Sequence, residues 1–506
     1  MAALSGRTGR NIFANFLGQG TASLLALALV PVYLHYLGIE SYALIGLFAV
    51  LQAWLTLLDF GMTPALGREM ARFGAGAITA TQIRDLLRSL EWLMAGLAGL
   101  IVMVMTGLAG PLSRNWLSGE AVSAQTIAEA LSMMSMVIAA RFIEALWRSA
   151  LIGLQQQVWF NMANIGLNLF RHGGAALVVA FVAPTTAAFF QWQLLASVLA
   201  LVILGSKLYR LLPAGERAAR FSRPALAGIW RFAGGMLGIN LLAVVLMQAD
   251  KVILSRLLSL EALGYYLLAA SVAAVLNALT GPITQALSPS LVNAVTLGDA
   301  AREARLYHQG AQLISVIVAP AAFIMMFFGE DALRLWTGDA ALAAKVAPLL
   351  ALLAGATLLN CLMHLGYFSM AAHGWTRLSL LASVVAVSVL VPLLLMLTQL
   401  WGARGAGVAL IIVYAGYAVF QAPLMHRRIL VGELKRWYLR DLAAPLSGAL
   451  VGVLAVYGLR IAWAVDAPGR LEMLGLLVLA WGVGSLLAGL AAHDVRRLVW
   501  ARLGQH

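Results

Sequence analysis

Several ionisable residues sit inside stretches that are otherwise apolar. Arg141, Glu144 and Arg148 share one run. Their spacing on an α-helix puts all three on one face. Arg171, with His172 beside it, lies near the middle of the next run, Asp59 precedes Gly61 in an earlier one, and Asp250 adjoins Lys251 in a later one. A charge at the centre of a bilayer costs about 2.5–3.5 kcal/mol even on the lenient insertion scale. These groups must therefore face one another, or a wet cavity. Three arginines against one acid leave surplus positive charge, and the chemistry that fits is capture of an anionic headgroup. Guanidinium stays charged and contacts phosphate oxygens in pairs. The competing reading is a structural network, with Glu144 neutralising Arg141 or Arg148 and Arg171 bonded to carbonyls. Asp59 either binds a cation or caps an interrupted helix. Lys251 either snorkels outward or enters the cavity, while Asp250 pairs across a helix interface. Arg68 and Glu69 read as gate or interface charges near a membrane surface, and His364 as a packing residue.

The elements that position these residues follow from composition. Of 506 residues, 62% are hydrophobic and 11% charged, under half the roughly 25% charged of soluble proteins. That excludes an all-soluble fold. Charge clusters and Pro/Gly turns cut the chain into about 14 candidate spans of bilayer length. They lie at 11–35, 42–66, 86–110, 127–152, 159–183, 187–210, 231–257, 263–292, 308–329, 345–371, 375–400, 403–426, 441–464 and 471–492. The first run is too long for a signal-peptide core and reads as a retained span. A lone cysteine, Cys361, excludes a disulfide framework or thiolate cluster. No Walker-type loop is present, and no cofactor or metal is expected.

With the N-terminus cytoplasmic, the inner loops hold roughly 23 of the Lys and Arg residues and the outer loops roughly 6, as the positive-inside rule requires. Both termini then lie inside. The same asymmetry accounts for the net charge of +13 without nucleic acid. No loop is long enough for a catalytic domain, which disfavours a membrane glycosyltransferase or polymerase, so the chain reads as a non-enzyme. The longest inner connection, about Leu211 to Trp230, is basic, contains Pro213, Gly215 and Pro224, and reads as a linker between two bundles. A repeat supports two bundles: the turn around Glu40 resembles the turn around Glu261, and the same offset carries Gly61 onto Pro282. Paired helix interruptions in two halves point to a site at a repeat interface.

Longer motifs carry a family resemblance. They are Tyr36-Leu-Gly-Ile-Glu-Ser-Tyr42, Leu57-Leu-Asp-Phe-Gly-Met62 and Arg68-Glu-Met-Ala-Arg72 in the first spans. Arg141-Phe-Ile-Glu-Ala-Leu-Trp-Arg148, Gly153-Leu-Gln-Gln-Gln157, Gln248-Ala-Asp-Lys-Val-Ile-Leu254 and Ala262-Leu-Gly-Tyr265 follow in order. Together they resemble polysaccharide-biosynthesis proteins of the oligosaccharide (O-antigen type) flippase family. That family is part of the multidrug/oligosaccharidyl-lipid/polysaccharide exporter (MOP) superfamily.

The resemblance implies an all-α polytopic fold: a six-helix bundle (1–212), a cytoplasmic linker (213–230), a second six-helix bundle (231–427), and two additional helices with a cytoplasmic tail (428–506). It implies a carrier in the bacterial inner membrane that moves undecaprenyl-pyrophosphate-linked oligosaccharide outward by alternating access. Its partners would be membrane lipids and a polymerase or glycosyltransferases of the same pathway. On that reading Arg141, Arg148 and Arg171 hold the pyrophosphate, Lys251 assists from the second bundle, and Asp59, Glu144 and Asp250 are ion-coupling or gate groups. The alternatives are a lipid II flippase and a cation-coupled multidrug exporter, the latter disfavoured by the arginine surplus.

Overall fold

The computed structural model describes residues 25–117, 119–213, 215–462 and 469–496, and within them the chain is helical with no strand. Helices are what a membrane demands, because hydrocarbon offers no partner to a free backbone N–H or C=O. Eleven described helices are long and apolar enough to cross a bilayer. The expected fifth and seventh spans are helical as well, and most of the expected first span lies outside the described residues. Large apolar side chains such as Met103, Phe181, Val182 and Leu471 are exposed, as on a lipid-facing surface. This is a multi-pass membrane protein.

The chain forms two compact units, Met1–Gly264 and Tyr265–His506. In the first, α1 (Val30–Leu55) turns at Gly38, whose φ of 78° only glycine adopts without strain. The helix then tightens into a 3₁₀ turn, Thr56–Asp59, and breaks at Phe60 and Gly61, both left-handed, before α2 (Met62–Gly74). Next come α3 (Ala80–Asn115), α4 (Ala124–Gly153), α5 (Gln157–Asn168), a π turn at Leu169–Gly173, α6 (Gly174–Phe181), α7 (Thr186–Leu211) and α8 (Arg223–Leu257).

Helix α3 begins with a Thr79–Gln82 capping box. Its 36 residues span about 54 Å at 1.5 Å per residue, more than the roughly 30 Å of hydrocarbon. The excess carries charged turns that grip the expected linker. Asp85 pairs with Arg217 at 2.5 Å and accepts the Arg220 backbone N–H at 2.8 Å, while Ser89 Oγ accepts that of Ser222 at 2.7 Å. The connection is pinned to α3, and does not hang free. Beside it, Arg84, Arg88 and Tyr209 help line a polar cavity of about 180 Å³. At the other end of α3, the buried Glu40 carboxylate accepts the backbone N–H groups of Glu120, Ala121 and Val122 at 2.8–3.0 Å. One acid thereby satisfies a whole loop turn.

The second unit contains α9 (Leu260–Ala273, entering from the first unit), α10 (Val275–Thr296), α11 (Ala300–Phe327), α12 (Gly329–Thr337), α13 (Ala340–Ala372) and α14 (Thr376–Trp401). Then follow α15 (Ala403–Gly416), a π turn at Tyr417–Gln421, α16 (Ala422–His426), α17 (Leu434–Arg436), a π turn at Trp437–Ala443, α18 (Ala444–Ala462) and α19 (Arg470–Ala491). Pro282 stays within α10, and the chain breaks earlier, at Ala274. The expected match to the Gly61 break therefore differs in position. The last two helices pair with each other and with α11. A Cβ on Gly452 would fall 2.7 Å from Gly484 Cα, so α18 and α19 meet backbone to backbone through small residues, the usual membrane solution.

Candidate functional site

The charges of the first unit converge where α1, α4, α7 and the π turn after α5 meet. Arg171 belongs to that turn and is buried. A π turn adds a residue to the helical register and leaves carbonyls without their usual partners. Here side chains supply the donors. Trp192 Nε1 donates to Phe170 O at 2.9 Å, Gln193 Nε2 to Arg171 O at 3.5 Å, and Tyr33 Oη to His172 O at 2.9 Å. The turn is thus built in, and it directs Arg171 at Glu144 on α4, with Nη2 to Oε2 at 2.9 Å. Both side chains are nearly inaccessible.

Arg141, one turn before Glu144, has a different environment. Its Nη1 donates to Gln52 Oε1 at 2.6 Å and its Nη2 to Gln193 Oε1 at 2.9 Å, with the guanidinium 4.9 Å from the Phe48 ring centre. These partners are neutral. Among the described residues no acid pairs with Arg141. Among the described residues, the buried Nε–H groups of Arg141 and Arg171 have no hydrogen-bond acceptor. The site holds two guanidiniums and one carboxylate, a net positive charge fixed by neutral amides. Such a site can take an anion.

The structure thus brings Arg141, Glu144 and Arg171 together. It gives Glu144 to Arg171, a pairing that differs from both partners expected on its own helix. Arg148 is exposed and outside the cluster. Lys251 reaches back along α8 to its neighbour Asp250 at 3.3 Å and to Met247 O at 2.8 Å. Asp59 accepts from Thr63 N at 3.0 and 3.2 Å and from Thr63 Oγ1 at 2.8 Å, the geometry of a cap on the restarted helix. Glu69 lies between Arg68 and Arg72 at 2.8 and 2.9 Å, and His364 pairs with Asn360 at 3.4 Å.

Gln52, Gln193, Tyr33 and Phe48 are the parts that sequence reasoning missed. The available signal was two glutamines in apolar helices, where an amide must find a partner.

Likeness to known proteins is of two kinds, in fold and in sequence. By fold, the chain has the architecture of MOP-superfamily transporters. Over 96% of its length it superposes on 99% of a solved lipid II flippase MurJ in an inward closed conformation, with TM-score 0.72 and 11% identity. Over 82% of its length it superposes on 95% of an inward-facing multidrug resistance MATE family transporter, with TM-score 0.64 and 15% identity. By sequence, residues 154–345 match the model of a polysaccharide biosynthesis protein family. A putative O-antigen transporter from Shigella flexneri is 20% identical over 403 residues, 79% of this chain and 93% of that protein. These likenesses agree with the motif resemblance: in sequence to a polysaccharide biosynthesis family over residues 154–345, and in fold to solved MurJ and MATE structures.

Proposed function

We propose that the protein is a lipid-linked oligosaccharide flippase of the bacterial inner membrane. On this reading it carries undecaprenyl-pyrophosphate-linked glycan from the inner to the outer leaflet by alternating access, with both termini cytoplasmic. Fourteen spans in a six, six and two arrangement belong to the same proposal. The observation that carries it is Arg141: a guanidinium in the first unit, held by two neutral amides and, among the described residues, bonded to no acid.

A pyrophosphate loses tens of kcal/mol of hydration in hydrocarbon in the Born limit, and fixed guanidiniums replace that hydration. Arg141 supplies the uncompensated charge. Arg171, held by Glu144, supplies a second donor set without adding net charge. Arg148 and Lys251 would act as the headgroup enters or leaves. The lipid tail would remain in the bilayer. Outward movement of an anion is already favoured by about 2.3 kcal/mol per charge per 100 mV of inside-negative potential, so no coupling ion is required, although Asp59, Glu144 or Asp250 would be the places for one.

The MurJ-like fold keeps a lipid II flippase as the second reading. The test replaces the chromosomal gene with Arg141→Ala or Arg141→Lys at matched expression and measures surface glycan and peptidoglycan synthesis separately. Loss of glycan with Ala, partial retention with Lys and unaffected peptidoglycan support the proposal. Normal glycan export in Arg141→Ala refutes it, and arrested peptidoglycan instead favours lipid II as cargo.

A further inference from the structure

The second unit holds a set of buried ionisable groups that cargo transport, as proposed above, does not use. His308 on α11 is fully buried, as is Asp441 in the π turn at Trp437–Ala443. The His308 Nδ1 faces Asp441 Oδ2 in a short contact, and its Nε2 lies 3.1 Å from Glu433 Oε2. A neutral imidazole has one N–H and one lone pair. It satisfies one of these carboxylates and turns its lone pair on the other. Both contacts hold only when the three groups carry one proton more than a neutral ring with two carboxylates.

Further polar groups close the cluster. Gln312 Nε2 donates to Asp441 Oδ1 at 2.7 Å and to Asp494 Oδ2 at 3.2 Å. Arg436 donates to Asp494 at 2.9 Å and stands 3.7 Å from Glu433. Among the described residues, three carboxylates are thus joined by one permanent cation. Other titratable neighbours among the described residues are Tyr307 and His426, whose rings lie alongside, Tyr438 in the same π turn, which donates to Ala418 O, and His493, 3.3 Å from Asp494. His426 is turned away, its Nδ1 bonded to Ala422 O at 2.8 Å.

We propose that His308, Asp441 and Glu433 form a proton-binding site that latches the start of the C-terminal helix pair to α11. Glu433 is the group open to water, with its side chain 32% exposed against 0% for the other two. The loop before it turns through left-handed Leu430 and Gly432, φ 57° and 88°, a natural pivot. When the Nε2–H bond breaks and the proton leaves past Glu433, the ring lone pair meets the carboxylate. Glu433 then swings out, and the segment around Leu434–Arg436 loosens. The proposal stands apart from the identity of the cargo.

The test uses the full chain in lipid nanodiscs with ¹⁵N-labelled histidine, the His308 signals being identified by their loss in His308→Gln. At about pH 7 both ring nitrogens should carry hydrogen, the state of a doubly donating ring. Amide exchange over residues 430–437, corrected for the intrinsic pH effect, should accelerate about tenfold when the pH is raised by about two units, as a charge-assisted bond is lost. In Glu433→Gln the new amide donates to a neutral ring, so the ring should carry a single hydrogen and protection should no longer depend on pH. A singly protonated wild-type ring at about pH 7, pH-indifferent exchange in the wild type, or pH-dependent exchange surviving in Glu433→Gln would each overturn the proposal.

Discussion

Exchanging Glu144 for glutamine probes the cationic site most directly. The wild-type pair joins Arg171 Nη2 to Glu144 Oε2 at 2.9 Å, with side-chain exposures of 8% and 13%, so solvent screens it little. The introduced amide would keep an acceptor oxygen but lose the charge, leaving Arg141 and Arg171 together without a neutralising acid. A hydrogen bond to a charged group is worth about 1.5–3 kcal/mol, and stranding a buried charge raises the loss towards 3–5 kcal/mol. We expect Glu144→Gln to destabilise by about 2–3 kcal/mol. Arg171→Gln should cost a similar amount, and the double variant less than the sum, with a coupling of about 1–3 kcal/mol. Equilibrium unfolding of the purified protein in mild detergent measures all three. If the proposed headgroup binds here, the same Glu144→Gln protein should hold undecaprenyl pyrophosphate more tightly, because the carboxylate charge removed repels an anion by an amount on the order of a few kcal/mol at an effective dielectric of 20. Additive stabilities within about 0.5 kcal/mol, or weaker binding, would refute the electrostatic reasoning.

Three other perturbations test separate parts of the structure. Gln193→Leu removes the acceptor for Arg141 and the donor to Arg171 O; a loss of about 2–4 kcal/mol in thermal or denaturant unfolding is expected, with reduced glycan export. Glu40→Ala strips three backbone N–H groups of their acceptor and should speed amide exchange at residues 120–122 by at least about tenfold, while leaving the 430–437 segment unchanged. For Asp494, burial raises the carboxyl, but hydrogen bonds from Arg436 and His493 outweigh it and hold the group below the ordinary carboxylate range. Its contribution is then complete above about pH 4 and fades as the pH falls through the lowered folded value. The stability gap between wild type and Asp494→Asn should therefore close on acidification below about pH 4.

Hydropathy located the helices well because apolar runs and charged turns are written in single residues. The run expected at 86–110 became Ala80–Asn115, longer because its charged first turns project beyond the apolar part and hold Arg217 and Ser222. The expense of burying charge marked Arg141 and Arg171. Which acid serves which base was illegible, since helix periodicity gives a face within one helix but not the rotation of its neighbour. The π turn added to that, carrying Arg171 to Glu144 in a register that a straight helix would not give. Gln52 and Gln193 escaped notice because neutral amides are inexpensive enough to occur without a function. His308 lies 133 positions from Asp441 and 125 from Glu433, and all three sit near helix ends, where charges are ordinary. Only the packing of α11 on the C-terminal pair makes them a set.

The extra residue in the Leu169–Gly173 turn has a genetic consequence. A one-codon deletion there would restore ordinary helical winding, leave α6 in register with α5, and draw the Phe170, Arg171 and His172 region back into the helical ladder. Hydropathy, length and composition of the span would scarcely change, yet the guanidinium would lose its carboxylate and Trp192, Gln193 and Tyr33 would lose the carbonyls they serve. Length variation at this position should thus behave as a loss-of-function allele, invisible to any scan of membrane topology.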